Sequence, residues 1–171
     1  MLLYVNLRVL NTRNEVVPNA MVEVWQASPV GMYENQDPQQ PEMNLRGHFF
    51  ADENGRVSFK TVRPAGYPVP TDGPVGTLLR KQARHPYRPA HLHFIVVAEG
   101  YSTLISQVFS DDAEYLDSDV VFGVTRDLVG SFESHAASTG PLAETGEPYY
   151  TLDYSFVLSE GESTRPTPPI K

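Results

Sequence analysis

Cysteine is absent from the 171-residue sequence, and its absence removes several classes of chemistry. Without thiols there can be no disulfide, cysteine nucleophile, iron–sulfur cluster or cysteine-ligated zinc finger. Any protein-bound metal must therefore be held by histidine, tyrosine, aspartate or glutamate. The sequence also lacks an apolar run long enough to cross a bilayer. It lacks a basic cluster that would bind nucleic acid, and the formal net charge is −8.

The N-terminal segment MLLYVNLRVL lacks the charged region and the long apolar region of a signal peptide. We therefore expect a cytoplasmic protein. Hydrophobic residues make up 40% of the chain and charged residues 20%, which is ordinary for a globular protein. The length fits one domain with a sizeable core.

Alternating apolar and polar residues predict a chain that is mainly β. Single strands are predicted at 3–10, 20–26, 120–124 and 149–158. Two hairpins are predicted, one over 47–62 with its turn at 52–55, and one that starts at 91 and turns at 99–100. The segments 77–83 and 125–132 are read as short helices.

The pattern favours a β-sandwich of mixed strands with long active-site loops and one or two short helices. The 15 prolines and 12 glycines are consistent with long, irregular connections. We expect residues 1–160 to form the sandwich and residues 161–171 to form a Pro-rich C-terminal tail.

The segment HLHFIVV contains the main functional signal of the chain. His91 and His93 are two positions apart in a predicted strand, so both side chains point to the same face. Two imidazoles that reach toward one point are typical of a metal site, and imidazole suits iron, zinc, copper and nickel. The rival interpretation is a pair of partly buried structural histidines. His48, His85 and His135 have no converging partner in the sequence and are read as structural or solvent-facing.

Two long loops, 27–47 and 63–76, carry tyrosines, and loops of this length are commonly functional. Tyr67 lies between Gly66 and Pro68, and the proline restricts the backbone. A tyrosine binds metal only when ionised, and its ordinary pKa is about 10. A strongly Lewis-acidic cation such as ferric iron is needed to remove that proton near neutral pH.

Other metal sites and other catalytic classes fit the sequence less well. Cupins have an HxH followed three or four residues later by Glu, whereas Glu99 comes six positions after His93, at a predicted turn. The facial triad of Fe(II) oxygenases needs a carboxylate where this chain has His93. The sequence has no GxSxG motif, so a serine nucleophile of that type is also disfavoured.

Four motifs in order, YPVPTDGPVGTLL, RHPYRPAHLHF, EGYSTLISQVF and YLDSDVVFGV, resemble the intradiol ring-cleavage dioxygenases. The resemblance is nearest to the catechol, chlorocatechol and hydroxyquinol 1,2-dioxygenase branch. It extends upstream through VPNAMVEVWQASPVGMY, NLRG and ENGRVSFKTV, and covers roughly residues 5–130.

The resemblance implies a mononuclear non-haem Fe(III) site with two tyrosine and two histidine ligands. Matched motif by motif, the metal ligands are Tyr33, Tyr67, His91 and His93. Tyr67 matches the axial ligand opposite His93 that also acts as a base. The catalytic arginine and glutamine of the family match Arg88 and Gln107.

The implied reaction is the cleavage of a catechol-type diol by O2 to a cis,cis-muconate-type diacid. The candidate substrate-contacting residues are Gly73, Pro74, Val120 and Val121. Catechol enzymes of the family present Phe-Ala where this chain has Val120 and Val121, so we expect a wider pocket and a broad substrate preference.

Members of this branch usually carry an N-terminal helical segment that mediates dimerisation. Because the sandwich begins almost at Met1 here, we expect a natural short form or a truncated chain, and homo-oligomerisation is left open.

A second interpretation comes from a different class. The first sixty residues also resemble transthyretin-like and carboxypeptidase-regulatory β-sandwich modules, which bind without a metal. Residues 67–107 distinguish the two interpretations, because a bare module has no reason to combine Tyr67, Arg88, His91 and His93.

Overall fold

The computed structural model describes residues 1–167, and two β-sheets packed face to face form its centre. The strands are β1 (Leu2–Asn11), β2 (Met21–Gln26), β3 (Arg46–Phe50), β4 (Arg56–Val62), β5 (Tyr67–Pro68), β6 (Tyr87–Arg88), β7 (His91–Val97), β8 (Leu104–Ser110), β9 (Val129–Gly130), β10 (Phe132–His135) and β11 (Tyr149–Leu158). The α-helix, α1, covers Pro74–Lys81. Short 3-10 turns cover Leu116–Ser118, Arg126–Leu128 and Gly140–Thr145.

One sheet has the strand order β10-β11-β1-β4, and the other has the order β3-β2-β7-β8-β9. Most neighbours are antiparallel, but β1 pairs with β11, and β8 with β9, in parallel. The predicted sandwich of mixed strands is therefore confirmed. A separate two-stranded ladder joins β5 to β6 outside the sheets, pairing Tyr67 with Arg88.

Alternation of side chains along the strands builds the core. On β7, Leu92, Phe94 and Val96 are buried between the sheets, so the histidines lie on the opposite face of the strand. Aromatic rings meet across the two layers, with Phe94 of β7 and Phe156 of β11 at a centroid distance of 5.0 Å. Each fully buried side chain of this kind stabilises the fold by about 1.5–3 kcal/mol, which makes the sheet a rigid support for its outer face.

The hairpin predicted over 47–62 is wrong, because its two strands belong to different sheets. β3 pairs with β2, whereas β4 pairs with β1. The turn itself forms, since Asp52 accepts hydrogen bonds from the amides of Asn54 and Arg56. The turn therefore connects a strand of one sheet to a strand of the other. Across this connection the rings of Phe49 and Phe59 stack with their centroids 4.7 Å apart.

The hairpin predicted from position 91 is confirmed by the antiparallel pairing of β7 with β8. The strand predicted over 120–124 does not form. The amide of Phe122 donates to the carbonyl of Asp119 and the φ of Phe122 is +56°, so this segment is a turn. Of the helix predicted over 125–132, a single 3-10 turn is present.

The helix predicted over 77–83 begins three residues earlier, at Pro74. Proline is favoured at the first helical position because it has no amide hydrogen to leave unsatisfied.

The predicted tail lies only partly within the described residues. The Gly161 amide donates to the Gly100 carbonyl, and Arg165 forms an ion pair with Glu23. Residues 168–171 of the predicted tail lie outside the described part. Across residues 1–167, no helix combines the length and apolar character needed to cross a membrane.

Candidate metal centre

Strand β7 holds His91 and His93 on the face of the sheet that points away from the core. Their Nε2 atoms are 3.0 Å apart. The neighbouring strand β2 places Trp25 opposite His93, and the two rings stack at 4.8 Å with only 3° between their planes. The rigid sheet and the indole ring together fix the direction of the His93 imidazole.

The two long loops bring Tyr33 and Tyr67 over this face. Tyr67 is fixed by its ladder pairing with Arg88. The preceding Gly66 permits a close approach, since a Cβ at this position would lie 2.7 Å from the Arg88 carbonyl oxygen. The Tyr33 hydroxyl lies 3.1 Å from the Tyr67 hydroxyl, so both loops converge on one point.

Four side-chain atoms form a closed ring at that point. Besides the two contacts already given, the Tyr67 hydroxyl is 3.5 Å from Nε2 of His91, and the Tyr33 hydroxyl is 3.1 Å from Nε2 of His93. Neighbouring donors around one ion with bonds of about 2.0–2.2 Å lie about 3.0–3.6 Å apart. The spacing of the four atoms therefore fits a single metal ion.

The imidazoles are held in the form that binds metal. His91 Nδ1 donates to the Pro89 carbonyl at 2.6 Å, which leaves the lone pair of Nε2 directed toward the ring of donors. Burial lowers the pKa of His91 to about 4, and burial together with the neighbouring His91 lowers the pKa of His93 to about 3. Both rings are therefore neutral near pH 7.

The tyrosines restrict which metal fits. Burial and the Tyr67 hydroxyl raise the pKa of Tyr33 far above its ordinary value, so the phenol keeps its proton unless a strong Lewis acid removes it. No group of three or more His, Cys, Asp or Glu side chains in residues 1–167 is arranged to hold a metal. The tyrosine hydroxyls are the further donors that lie next to the two imidazoles. Two phenols and two neutral imidazoles fit ferric iron.

Arg88 is buried beside the four donors, with 6% of its surface exposed. Its Nη1 lies 3.1 Å from Nε2 of His91. Its Nη2 donates to Oε1 of Gln107 at 2.9 Å, and its Nε donates to Oδ1 of Asp119 at 3.2 Å. Gln107 lies directly opposite His93 in the β7–β8 ladder. A fixed positive charge therefore borders the candidate metal centre.

Asp119 is a site residue that sequence reasoning missed. Only 3% of its surface is exposed, and its Oδ2 also accepts the Gly123 amide at 2.8 Å. Burial alone would raise the pKa of Asp119, but the hydrogen bonds from Arg88 and from the Gly123 amide hold that pKa below its usual value. A Cβ at Gly123 would lie 3.1 Å from Arg88, Asp119 and Gln107, so this position has no room for a larger residue without a shift of the network.

Asp119, Trp25 and Pro89 carry no sequence signal that distinguishes them. Asp119 is one of two acidic residues in the four of DSDV, and its partner Arg88 is 31 positions away. Trp25 contacts His93 through the face of its ring, and Pro89 contacts His91 through its backbone carbonyl. Neither contact can be read from a sequence motif.

The predicted substrate-contacting residues lie on two segments, the start of α1 and the turn that follows Asp119. Gly73 and Pro74 form the N-terminal end of α1, and within residues 1–167 no hydrogen bond joins them to the four donors. Val120 is 6% exposed and Val121 is 51% exposed, so Val121 is the one of the pair whose side chain is open to solvent.

The three remaining histidines stand apart from the four donors. His48 is exposed on β3 and stacks on Phe50, and His135 bonds Thr151. His85 packs against Tyr115.

The metal-free protein is expected to lose stability as the pH falls from about 6.5 toward about 3. An unfolded histidine takes up its proton near pH 6.5, whereas folded His91 and His93 resist protonation until about 4 and about 3. The unfolded state therefore binds more protons in this window, and the free energy of unfolding rises with pH there. Thermal unfolding of metal-free protein measures the effect. The melting temperature of His93→Gln should fall less steeply with decreasing pH than that of His48→Ala. Equal pH dependence in the two variants would contradict a lowered pKa for His93.

Comparison with known proteins identifies the class to which the chain belongs. The model of the family described as Dioxygenase matches residues 1–160. The chain is 44% identical over 155 residues to hydroxyquinol 1,2-dioxygenase of Rhizobium sp. (strain MTP-10005), covering 89% of this chain and 52% of that protein. It is 39% identical over 161 residues to catechol 1,2-dioxygenase of Candida albicans, covering 94% of this chain and 52% of that protein.

Solved structures give the same result. The crystal structure of hydroxyquinol 1,2-dioxygenase from Pseudomonas putida DLL-E4 superposes with a TM-score of 0.86 at 41% identity, over 94% of this chain and 57% of that one. The chain belongs to the intradiol ring-cleavage dioxygenase family and covers its catalytic domain. It spans about half the length of the curated relatives it matches.

Proposed function

We propose that the chain catalyses Fe(III)-dependent intradiol cleavage of a catechol-type diol by O2, giving a cis,cis-muconate-type product. The observation that carries the proposal is the ring of four donors formed by Tyr33, Tyr67, His91 and His93, with adjacent atoms 3.0–3.5 Å apart. Membership of the intradiol family and the neutral state of both imidazoles support it. Ferric iron would supply Lewis acidity and an electron acceptor that makes a bound diol reactive toward O2.

The protons that the diol loses on binding need acceptors, and the tyrosines are proposed to provide one. A catechol that binds through both oxygens must lose two protons. His91 and His93 cannot keep a proton near pH 7, because their pKa values are about 4 and about 3. The phenolic oxygens are the remaining bases in the ring of donors. Tyr67, which would hold the iron as a phenolate, is proposed to accept one of these protons, and the other is released to solvent.

Arg88 is proposed to stabilise negative charge that develops on the substrate ring. Its guanidinium is held from one side by Asp119 and from another by Gln107, so no reorganisation is needed during the reaction. Because the group is buried, its field is less screened than it would be in water. Such a preorganised charge is a common source of transition-state stabilisation.

Hydroxyquinol is proposed as the first substrate to test. The sequence of this chain is 44% identical to one hydroxyquinol 1,2-dioxygenase and 41% identical to another whose structure is solved. It is 30% identical to a catechol 1,2-dioxygenase of Acinetobacter whose structure is solved. Val121 is proposed to contact ring substituents, since it is the exposed member of the Val120–Val121 pair.

The test is O2 uptake by the iron-loaded protein with hydroxyquinol, chlorocatechols and catechol, with products identified by mass spectrometry. We expect one O2 consumed per diol and, with 18O2, both labelled atoms in the diacid product. Resorcinol is the matched control, because its hydroxyls are not adjacent and cannot both bind one ion. Release of hydrogen peroxide and quinone without ring opening would contradict the proposal.

The metal-free binding module is the weaker interpretation. It accounts for the two sheets but leaves four convergent donors and a buried Arg88–Asp119 ion pair without a purpose. A chain that binds no iron and remains colourless would favour it.

A further inference from the structure

Arg84 bridges the end of α1 and the turn formed by residues 119–123. Its Nη2 donates to the Val120 carbonyl at 2.8 Å. Its guanidinium also lies over the ring of Phe122, 4.2 Å from the centroid. A cation at this distance from an aromatic face is attracted to it. One side chain thus contacts the turn at two adjacent points.

The backbone of Arg84 is itself anchored. Its amide donates to the Leu79 carbonyl of α1 at 3.0 Å, and the preceding Ala83 has a left-handed φ of +51°. The helix therefore fixes the backbone of Arg84, and the Arg84 side chain links the helix to the turn.

The other end of the same turn enters the candidate metal centre. Asp119 accepts from Arg88 and from the Gly123 amide, and Arg88 reaches Nε2 of His91. The side chain of Phe122 is 76% exposed, and its φ is +56°. This left-handed conformation costs energy for a bulky residue, so surrounding contacts must hold it in place. Arg84 is the charged side chain that packs on this ring.

We infer that Arg84 is a positioning residue that fixes the 119–123 turn and, through Asp119, the direction of Arg88. This inference rests on the proposed function for its effect on turnover, but its structural part does not. The turn also carries Val121, so Arg84 would influence which ring substituents are accepted.

The first measurement is hydrogen exchange, which needs neither iron nor substrate. The amide of Val120 bonds the Tyr87 carbonyl and the amide of Gly123 bonds Asp119, so both report on the turn. In Arg84→Ala we expect exchange in 119–123 to accelerate by about tenfold or more, because local opening becomes easier. Lys81→Ala, which removes a positive charge from the exposed face of the same helix, should leave exchange unchanged. Unchanged exchange in Arg84→Ala would overturn the inference.

The second measurement separates positioning from a general loss of folding. With iron content and melting temperature close to wild type, Arg84→Ala should lower kcat/KM by about fivefold to thirtyfold, less than the loss of a group that touches the reacting atoms. The ratio of kcat/KM between substituted and unsubstituted diols should also change. Arg84→Lys should recover only part of the loss, because one ammonium cannot reproduce the planar contact with both partners.

A double-mutant cycle with Phe122→Leu completes the test. If Arg84 acts through the turn, the two substitutions should be non-additive. Additive effects, or an equal loss for every diol, would assign Arg84 a purely structural role and overturn the inference. If the wild-type protein cleaves no diol, the proposed function fails, and the exchange measurement still decides whether Arg84 holds the turn.

Discussion

Replacing Arg88 with alanine is expected to lower kcat by about 100-fold or more while the protein keeps its iron. Arg88 is not one of the four donors, so metal binding should survive its loss. The cost falls on turnover, because the removed guanidinium is the buried positive charge beside His91. Steady-state O2 uptake together with iron analysis measures both quantities. Arg88→Lys should rescue only partly, since an ammonium cannot reproduce the planar contacts with Asp119 and Gln107.

Stability requires a matched control in this experiment. Arg88→Ala leaves the carboxylate of Asp119 buried without its partner, which typically costs about 3–5 kcal/mol in the free energy of unfolding. The double variant Arg88→Ala/Asp119→Asn removes the stranded charge and should recover much of that stability without recovering turnover. Wild-type kcat in Arg88→Ala, or restored kcat in the double variant, would refute the proposed role.

Replacing His93 with alanine is expected to abolish iron retention. The variant loses one of four donors, and even changes outside the first layer of ligands commonly weaken metal binding by about 10- to 100-fold. The affinity loss should therefore exceed about 100-fold. Dialysis against a chelator followed by metal analysis measures it. His91→Ala should behave in the same way.

His48→Ala is the matched control for the histidine variants. His48 is exposed on β3 of the same sheet and contacts Phe50 instead of the donors. Its replacement should leave the iron content unchanged. If His48→Ala also strips iron, the assignment of the ligands is wrong.

Local patterns explain which parts of the site could be predicted. The shared direction of His91 and His93 follows from the two-residue period of a strand, and the pairing of β7 with β8 follows from a turn between two alternating segments. Pro68 restricts the backbone of the preceding Tyr67, and a sequence displays this directly. These features depend on neighbours within a few residues.

The remainder depends on contacts that no local pattern encodes. The turn at Asp52 has the same chemistry whether the following strand returns to its own sheet or crosses to the other, and the chain crosses. The Arg88–Asp119 pair joins residues 31 positions apart, and the stacking of Trp25 on His93 depends on the register between β2 and β7. The family resemblance, not spacing, supplied Tyr33, which reaches the Tyr67 hydroxyl from a different loop.

The most direct test of the central claim is the iron content and visible absorption spectrum of the purified protein. If Tyr33, Tyr67, His91 and His93 hold one ferric ion, we expect one iron per chain and a broad visible band from tyrosinate-to-Fe(III) charge transfer. Tyr67→Phe should change that band, whereas Tyr4→Phe on strand β1 of the other sheet should not. Stoichiometric zinc with no visible band would contradict the account.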